Sequence, residues 1–169
     1  VLASSFDKMT DSLKMAHQRE LETKALVHEL NIAREIQYNL LPKELPSISG
    51  YDIAARYFPC FEVSGDYYDI MQLDNDNLGI IVADVSGKGV PASMIMTMAR
   101  SLVRMESERN LSTADTLKKV NRILARDLRR GMFVTAMYCI LNIRTGMLKV
   151  SSAGHNPLVV WRNDQKRHE

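Results

Sequence analysis

The first 41 residues of this chain contain neither glycine nor proline, and the whole chain has little cysteine and almost no net charge. A stretch without helix-breaking residues predicts one long helix. The two cysteines, Cys60 and Cys139, lack the paired spacing of a zinc site, which favours free thiols in a reducing compartment. A net charge of +2, with no basic run among aromatic residues, gives no reason to expect a nucleic-acid partner.

Long hydrophobic runs are absent as well, because no apolar stretch approaches the roughly 20 residues of a membrane-spanning helix. No secretory signal follows Val1. Hydrophobic residues make up 46% of the chain and charged residues 25%, as in ordinary globular proteins. We therefore expect a cytoplasmic domain with an appendage, and we interpret a chain that does not begin with methionine as a piece of a longer protein.

The helix predicted for residues 1–41 carries a heptad-like apolar seam, interrupted by Glu20 and Thr23 and shifted in phase after Leu30. Pro42 ends it, because the residue before a proline disfavours helical geometry. Two interpretations stay open: a helix packed on its own domain, and a parallel coiled coil of two copies. We favour the dimer, since a helix ahead of a domain has little of its own to pack against. The seam consists of Leu2, Phe6, Met9, Leu13, Ala16, Val27 and Leu30.

Beyond a boundary loop at residues 43–50, predicted strands flank a pair of helices. The helices follow Pro91 and Ser112, and Ser112 with Asp115 resembles a capping box. Strands grouped around two helices and joined by hairpin-length turns predict an antiparallel α+β fold rather than a parallel sheet. We accordingly divide the chain into a helical linker, 1–41, and a domain, 42–169. The predicted strands are 51–58, 67–73, 78–85, 133–142, 147–152 and one that begins at Leu158.

Two aspartates stand near glycines at the ends of predicted strands. Asp66 precedes the strand 67–73, and Asp84 closes a run of six uncharged residues, 78–83. A charge at the end of a buried strand costs free energy unless something compensates it, and a divalent cation is a common compensator. The pair therefore predicts an oxygen-ligand site for Mg²⁺ or Mn²⁺.

Four motifs in this order resemble those of the bacterial PPM-type serine/threonine phosphatases of the SpoIIE/RsbU kind. They are EVSGDYYD at 62–69, ADVSGKGVPA at 83–92, FVTAM at 133–137 and AGHNP at 153–157. The segment AREIQYNLLP at 33–42 resembles the helix that enters that domain, and residues 1–13 are similar to the closing helix of a HAMP signalling module. The resemblance implies an αββα sandwich of antiparallel sheets flanked by helices, C-terminally incomplete in these residues.

The resemblance also implies a dinuclear Mn²⁺ or Mg²⁺ centre that activates a water as nucleophile. Asp84 matches the aspartate that contacts both metals, Val85 the residue that gives a backbone carbonyl, and Asp66 a further carboxylate ligand. For Asp69 we favour a hydrogen-bonding role near the metals over direct ligation. For Lys88, phosphate binding and a solvent-facing position both stay open. For His155 we favour a structural role in its turn over general acid catalysis.

The implied function is hydrolysis of phosphoserine or phosphothreonine on a signalling partner, usually a phosphorylated STAS-domain protein of the anti-anti-sigma type. The helix would carry a signal from a membrane sensor, which places the full-length protein at the cytoplasmic face of the inner membrane. The family pattern has further metal-binding aspartates that would follow Glu169, so we expect the 169 residues alone to be weakly active or inactive. The alternative is a dimeric pseudophosphatase that binds its partner without hydrolysing it.

Overall fold

The computed structural model describes residues 2–59, 61–163 and 166–168. Cys60 and Val1 lie outside them, whereas Cys139 is a buried free thiol. Among the residues described, none of the helices combines the length and the hydrophobicity of a membrane span. The helices are α1 (Leu2–Leu40), α2 (Gly89–Ser107) and α3 (Thr113–Asp127); the strands are β1 (Tyr67–Gln72), β2 (Asn77–Val85), β3 (Val134–Asn142), β4 (Leu148–Ala153), β5 (Trp161–Arg162) and β6 (Arg167–His168).

Strands β1 to β4 form one antiparallel sheet in chain order, and β5 pairs with β6. The β1–β2 hairpin closes through Asp74, whose carboxylate accepts hydrogen bonds from the backbone N–H groups of Asp76 and Asn77. Strand β2 pairs with β3 along its whole length. The predicted α+β fold class is confirmed, with one sheet and one helical layer of the expected sandwich built from the described residues.

The core lies between this sheet and the helix pair. Alternate side chains of β1 and β2 are buried, which is the period of two of a half-buried strand. Helix α2 meets them with small and medium side chains at helical spacing, and α3 adds Val120 and Leu124. The side chains between these buried positions in β1 and β2 lie on the other face of the sheet. The core side chains of this interface include Tyr67, Met71, Ile81, Ala83, Val85, Ala92, Met96, Ala99 and Val103.

Several predicted boundaries differ from the structure. The strand predicted for 51–58 is wrong, because only an isolated bridge joins Tyr51 to Ile48. Tyr57 instead packs between two other rings, at centroid distances of 5.7 Å from Tyr38 and 6.3 Å from Tyr68. The strand predicted from Leu158 begins only at Trp161. Local alternation is a weak signal where tertiary contacts with other elements decide the backbone path.

Helix α1 contacts the domain near its C-terminus. Of its described side chains only Gln37 is buried, whereas Leu13 in the apolar seam is 63% exposed. Arg100 of α2 donates from Nε to the carbonyl oxygen of Leu40 at 2.6 Å, which satisfies one of the carbonyls left open at the helix end. The last turn of α1 is thereby attached to α2.

Candidate metal centre

Asp66 and Asp84 lie opposite each other at one end of the β1–β2 ladder. Tyr67 pairs with Ala83, so the next step along both strands sets Asp66 against Asp84. The Val85 N–H donates to the carbonyl oxygen of Gly65 at 3.3 Å and continues the antiparallel pattern. Both aspartates are exposed and lie on the sheet face that points away from α2 and α3.

The two carboxylates repel each other. Burial raises the pKa of Asp84 above its ordinary value, and the charge and hydrogen bonding of Asp66 raise it further, while nearby His155 lowers it. Like charges held together disfavour joint ionisation, and a bound cation removes that penalty. The electrostatic repulsion between Asp66 and Asp84 therefore favours binding of a cation.

Asp66 is held in place by the residue two positions before it. The Ser64 hydroxyl donates to Asp66 Oδ2 at 3.1 Å and accepts from the Asp66 N–H at 3.1 Å. Ser64 in turn is bonded through both of its backbone groups to the buried amide of Gln37 in α1. A contiguous chain of hydrogen bonds thus joins α1 to one of the candidate ligands.

Gly65 leaves the space in which the Val85 carbonyl lies. A Cβ at position 65 would come within 2.8 Å of the Val85 oxygen and 3.1 Å of the Val85 Cβ. Two carboxylates and the predicted Val85 carbonyl would form an all-oxygen donor set, which suits Mg²⁺ or Mn²⁺. Within the described ranges, no group of three or more histidine, cysteine, aspartate or glutamate side chains could hold a metal ion. The donors present fit a divalent cation that keeps several water ligands.

Asp69 lies on the other face of the sheet, completely buried. Arg104 of α2 donates from Nε to Oδ2 at 2.6 Å and from Nη2 to Oδ1 at 2.8 Å, and the Tyr67 hydroxyl donates to Oδ2 at 2.9 Å. Hydrogen bonding to Asp69 raises the pKa of Arg104. Burial, and to a smaller extent the charge of Asp69, raises the pKa of Tyr67. Both carboxylate oxygens are used internally, which favours the hydrogen-bonding role over direct ligation of a metal.

His155 lies closer to the aspartates than its predicted turn role required. With Asn156, Asp66 and Asp84 it lines a cavity of about 520 Å³ on the helix-free face. Its Nδ1 is 2.9 Å from the Thr135 hydroxyl, so a neighbouring strand holds the ring. Only the AGHNP motif marked this residue in the sequence, because its approach to Asp84 depends on pairing of distant strands.

Lys88 lies on the other side of the aspartate pair. Its Nζ is 5.4 Å from the centroid of the Phe61 ring, within cation–π range. Lys88 and Phe61 line a cavity of about 300 Å³ together with Asp66 and Asp84. The structure therefore brings Asp66, Asp84 and Lys88 together, with Val85 beside them.

Comparison with solved structures identifies the class of fold. The SiaA-PP2C domain of Pseudomonas aeruginosa matches with a TM-score of 0.64 over 78% of this chain and 54% of that chain, at 21% identity. The RsbU and RsbW domains of Rv1364c from Mycobacterium tuberculosis match with a TM-score of 0.53 over 59% of this chain and 28% of that chain, at 26% identity. The sheet and its helices are therefore those of a PP2C-type domain.

The family model of Stage II sporulation protein E (SpoIIE) matches residues 74–169, and the chain belongs to this family. Phosphoserine phosphatase RsbU of Bacillus subtilis (strain 168) is 33% identical over 129 residues. That match covers 76% of this chain and 38% of RsbU, so the chain spans about two fifths of this relative. The resemblance inferred from the four motifs is confirmed at the level of the family.

Proposed function

We propose that the protein is a metal-dependent phosphoprotein phosphatase that hydrolyses phosphoserine or phosphothreonine. The observation that carries the proposal is the opposition of Asp66 and Asp84 on one exposed sheet face. Membership of the SpoIIE family and similarity to a relative named phosphoserine phosphatase support it. No cysteine nucleophile is needed for this chemistry, and the described thiol, Cys139, is buried in the sheet.

The proposed cofactor is a pair of Mn²⁺ or Mg²⁺ ions, with Asp66, Asp84 and the Val85 carbonyl as ligands from this chain. Such ions, when bound, polarise phosphoryl oxygens and favour deprotonation of water. The chain's own residues set the positions of the donors. Ser64 orients Asp66, and the missing side chain of Gly65 avoids a Cβ that would lie 2.8 Å from the Val85 carbonyl oxygen. Phosphate binding by Lys88 is part of the proposal, supported by its place in the cavity beside the aspartates.

The proposed substrate is a phosphorylated STAS-domain protein of the anti-anti-sigma type, as the motif resemblance implies. Regulation would act through the linker, residues 1–41, on the domain, 42–169. Two contacts support that route: Gln37 holds the residue that orients Asp66, and Arg100 joins the last turn of α1 to α2. The upstream sensor, the HAMP module and the cytoplasmic face of the inner membrane belong to the same proposal.

A homodimer through α1 is the proposed assembly. The seam residues Met9, Leu13 and Val27 are 54%, 63% and 47% exposed, which a parallel coiled coil of two copies would bury. Val27→Glu should shift the protein from dimer to monomer in analytical ultracentrifugation, while Lys24→Glu, off the seam, should not. An unchanged sedimentation coefficient for Val27→Glu would contradict the dimer.

A non-catalytic pseudophosphatase is the second candidate, because the described residues supply only two exposed carboxylates at the site, Asp66 and Asp84. The two functions separate in one experiment on the full-length protein with added Mn²⁺, since the 169 residues alone are expected to be weakly active or inactive. A phosphatase releases phosphate from a phosphoserine peptide and from p-nitrophenyl phosphate, and Asp84→Asn lowers the rate by about 100-fold or more. Asp52→Asn, exposed and outside the cavity lining, serves as the control. Mn²⁺ binding by calorimetry without any turnover would instead favour the pseudophosphatase.

A further inference from the structure

We propose that Arg56 binds the phosphate group of the substrate and that Phe58 positions it, a role that rests on the proposed phosphatase function. Arg56 lines the cavity of about 520 Å³ that Asp66, Asp84 and His155 also line. It is the sole lysine or arginine among the described residues of that cavity wall. A phosphate monoester entering there would meet one permanent cation from the chain.

The Arg56 guanidinium is supported without being neutralised. Its central carbon lies 4.6 Å from the centroid of the Phe58 ring, and Arg56 makes no hydrogen bond or ion pair with any other residue that the structure describes. The contact with the ring is not a hydrogen bond to an acceptor atom, so the guanidinium N–H donors stay available to a ligand. By contrast, the donors of Arg104 are occupied by Asp69.

Phe58 is 69% exposed, so burial in the core does not explain its position. An exposed phenyl ring stacked on an arginine restricts the rotamers of a long side chain. It thereby reduces the conformational entropy that phosphate binding would otherwise remove. The ring thus has a consistent role as support for the guanidinium.

Charge explains why the cavity needs this arginine. The two aspartates repel a phosphate dianion, and divalent cations bound to them would reverse that repulsion. A guanidinium adds paired hydrogen bonds in a planar fork that matches two phosphate oxygens, which lysine does not provide. The ligand class that fits is a tetrahedral dianion on a monoester, and Arg56 would contribute to its binding rather than to metal binding.

The test compares Arg56→Gln with Arg122→Gln, an exposed arginine of α3 on the opposite face of the sheet. In the Mn²⁺-loaded protein, Arg56→Gln should raise the KM for p-nitrophenyl phosphate by about tenfold or more, with a smaller change in kcat. It should weaken binding of inorganic phosphate, measured by calorimetry, by a similar factor. Arg56→Lys should recover part of the loss, and Phe58→Leu should raise KM by a smaller factor.

Mn²⁺ binding, measured by calorimetry before phosphate is added, should be the same in wild type and Arg56→Gln. Equal phosphate affinities in these two proteins overturn the proposal, and so does a loss of Mn²⁺ affinity in Arg56→Gln. If Arg56→Gln does not fold, the same two titrations are made on Phe58→Leu, and a phosphate affinity equal to that of wild type overturns the proposal. Absence of turnover in the full-length wild-type protein contradicts the proposed function, whereas the phosphate titrations still decide the role of Arg56.

Discussion

Gln37 satisfies both backbone groups of Ser64: its Nε2 donates to the Ser64 carbonyl at 2.7 Å, and its Oε1 accepts from the Ser64 N–H at 2.9 Å. The Ser64 hydroxyl then donates to Asp66. Gln37 is only 5% exposed, on a helix whose other described side chains are partly or fully exposed. A single amide therefore connects the linker helix to the loop that carries a candidate ligand.

Gln37→Ala should loosen this loop. Two hydrogen bonds are lost and two part-buried backbone groups lose their partners, which costs about 1–3 kcal/mol. Hydrogen–deuterium exchange at the Ser64 amide should accelerate by about tenfold or more, and Mn²⁺ affinity should fall. Asn39→Ala, exposed on the same turn of α1, is the matched control. Unaltered exchange at Ser64 would show that the loop does not depend on Gln37.

Arg104→Ala should destabilise the fold by about 3 kcal/mol, because the completely buried Asp69 carboxylate would lose its charged partner. Arg144→Ala removes an arginine–aspartate pair at the surface that makes a single contact of 3.1 Å between side chains 72% and 43% exposed, and it should cost less than about 1 kcal/mol. Urea unfolding of both variants measures the difference. Equal midpoints would contradict the buried role of Asp69.

Asp84→Asn should stabilise the metal-free protein at neutral pH. Folding raises the pKa of Asp84, through burial and through Asp66. The protonated Asp84 carboxyl therefore stabilises the fold at pH values below its ordinary pKa of 3.8, and this stabilisation is lost as the pH rises through the folded-state pKa. Asparagine does not ionise and avoids that loss. In chelator, the melting temperature of Asp84→Asn should equal that of wild type at low pH and exceed it at pH 7. With Mn²⁺, the order should reverse.

Asp74→Asn is the control, because folding shifts the pKa of Asp74 in the direction opposite to that of Asp84. Hydrogen bonds from Asn77 and Asp76 lower the pKa of Asp74, so its carboxylate stabilises the fold above the ordinary pKa, and that contribution is lost as the pH falls through the folded-state pKa. Asp74→Asn should therefore lower the melting temperature at pH 7, with or without Mn²⁺. Variants that shift in the same direction would refute the electrostatic account of the Asp66–Asp84 pair.

Gly65→Ala should weaken Mn²⁺ binding. The new Cβ would lie 2.8 Å from the Val85 carbonyl oxygen, a backbone atom that moves only with its strand. Gly79→Ala, toward the other end of β2, meets the Tyr138 hydroxyl and the ends of the Leu73 side chain at 3.1–3.3 Å instead. Calorimetry should show about a tenfold loss of Mn²⁺ affinity for Gly65→Ala and none for Gly79→Ala. Equal Mn²⁺ affinities of Gly65→Ala and Gly79→Ala would contradict a role for the Val85 carbonyl as a metal ligand.

The sequence was most informative where local patterns agree with tertiary structure. The strands predicted at 67–73, 78–85, 133–142 and 147–152 correspond to β1 to β4, and the signals at Pro91 and Ser112 predicted the helix pair. Ser112 caps α3 as expected, accepting from the Asp115 N–H. Asp66 and Asp84 were recognisable because glycine and a strand end flank each of them. These features depend on neighbours in the chain.

The contacts that depend on distant residues were not predictable in this way. No local pattern indicates that Gln37 would bond Ser64, that Arg104 would bond Asp69, or that Thr135 would hold His155. The path of residues 51–58 was mispredicted for the same reason, since Tyr57 packs on rings from α1 and β1 rather than in a sheet. Polar partners across an interface are chosen by the assembled geometry.

The attachment of α1 by its last turn has a mechanical consequence. A helix of 39 residues is about 58 Å long at 1.5 Å per residue, and its buried amide and its bonded terminal carbonyl both lie near one end. A rigid rod fixed there converts a small sideways push at its far end into a bending moment at Gln37 and Leu40. The length of α1, rather than any contact along it, would set how strongly a displacement of its N-terminal end disturbs the aspartates.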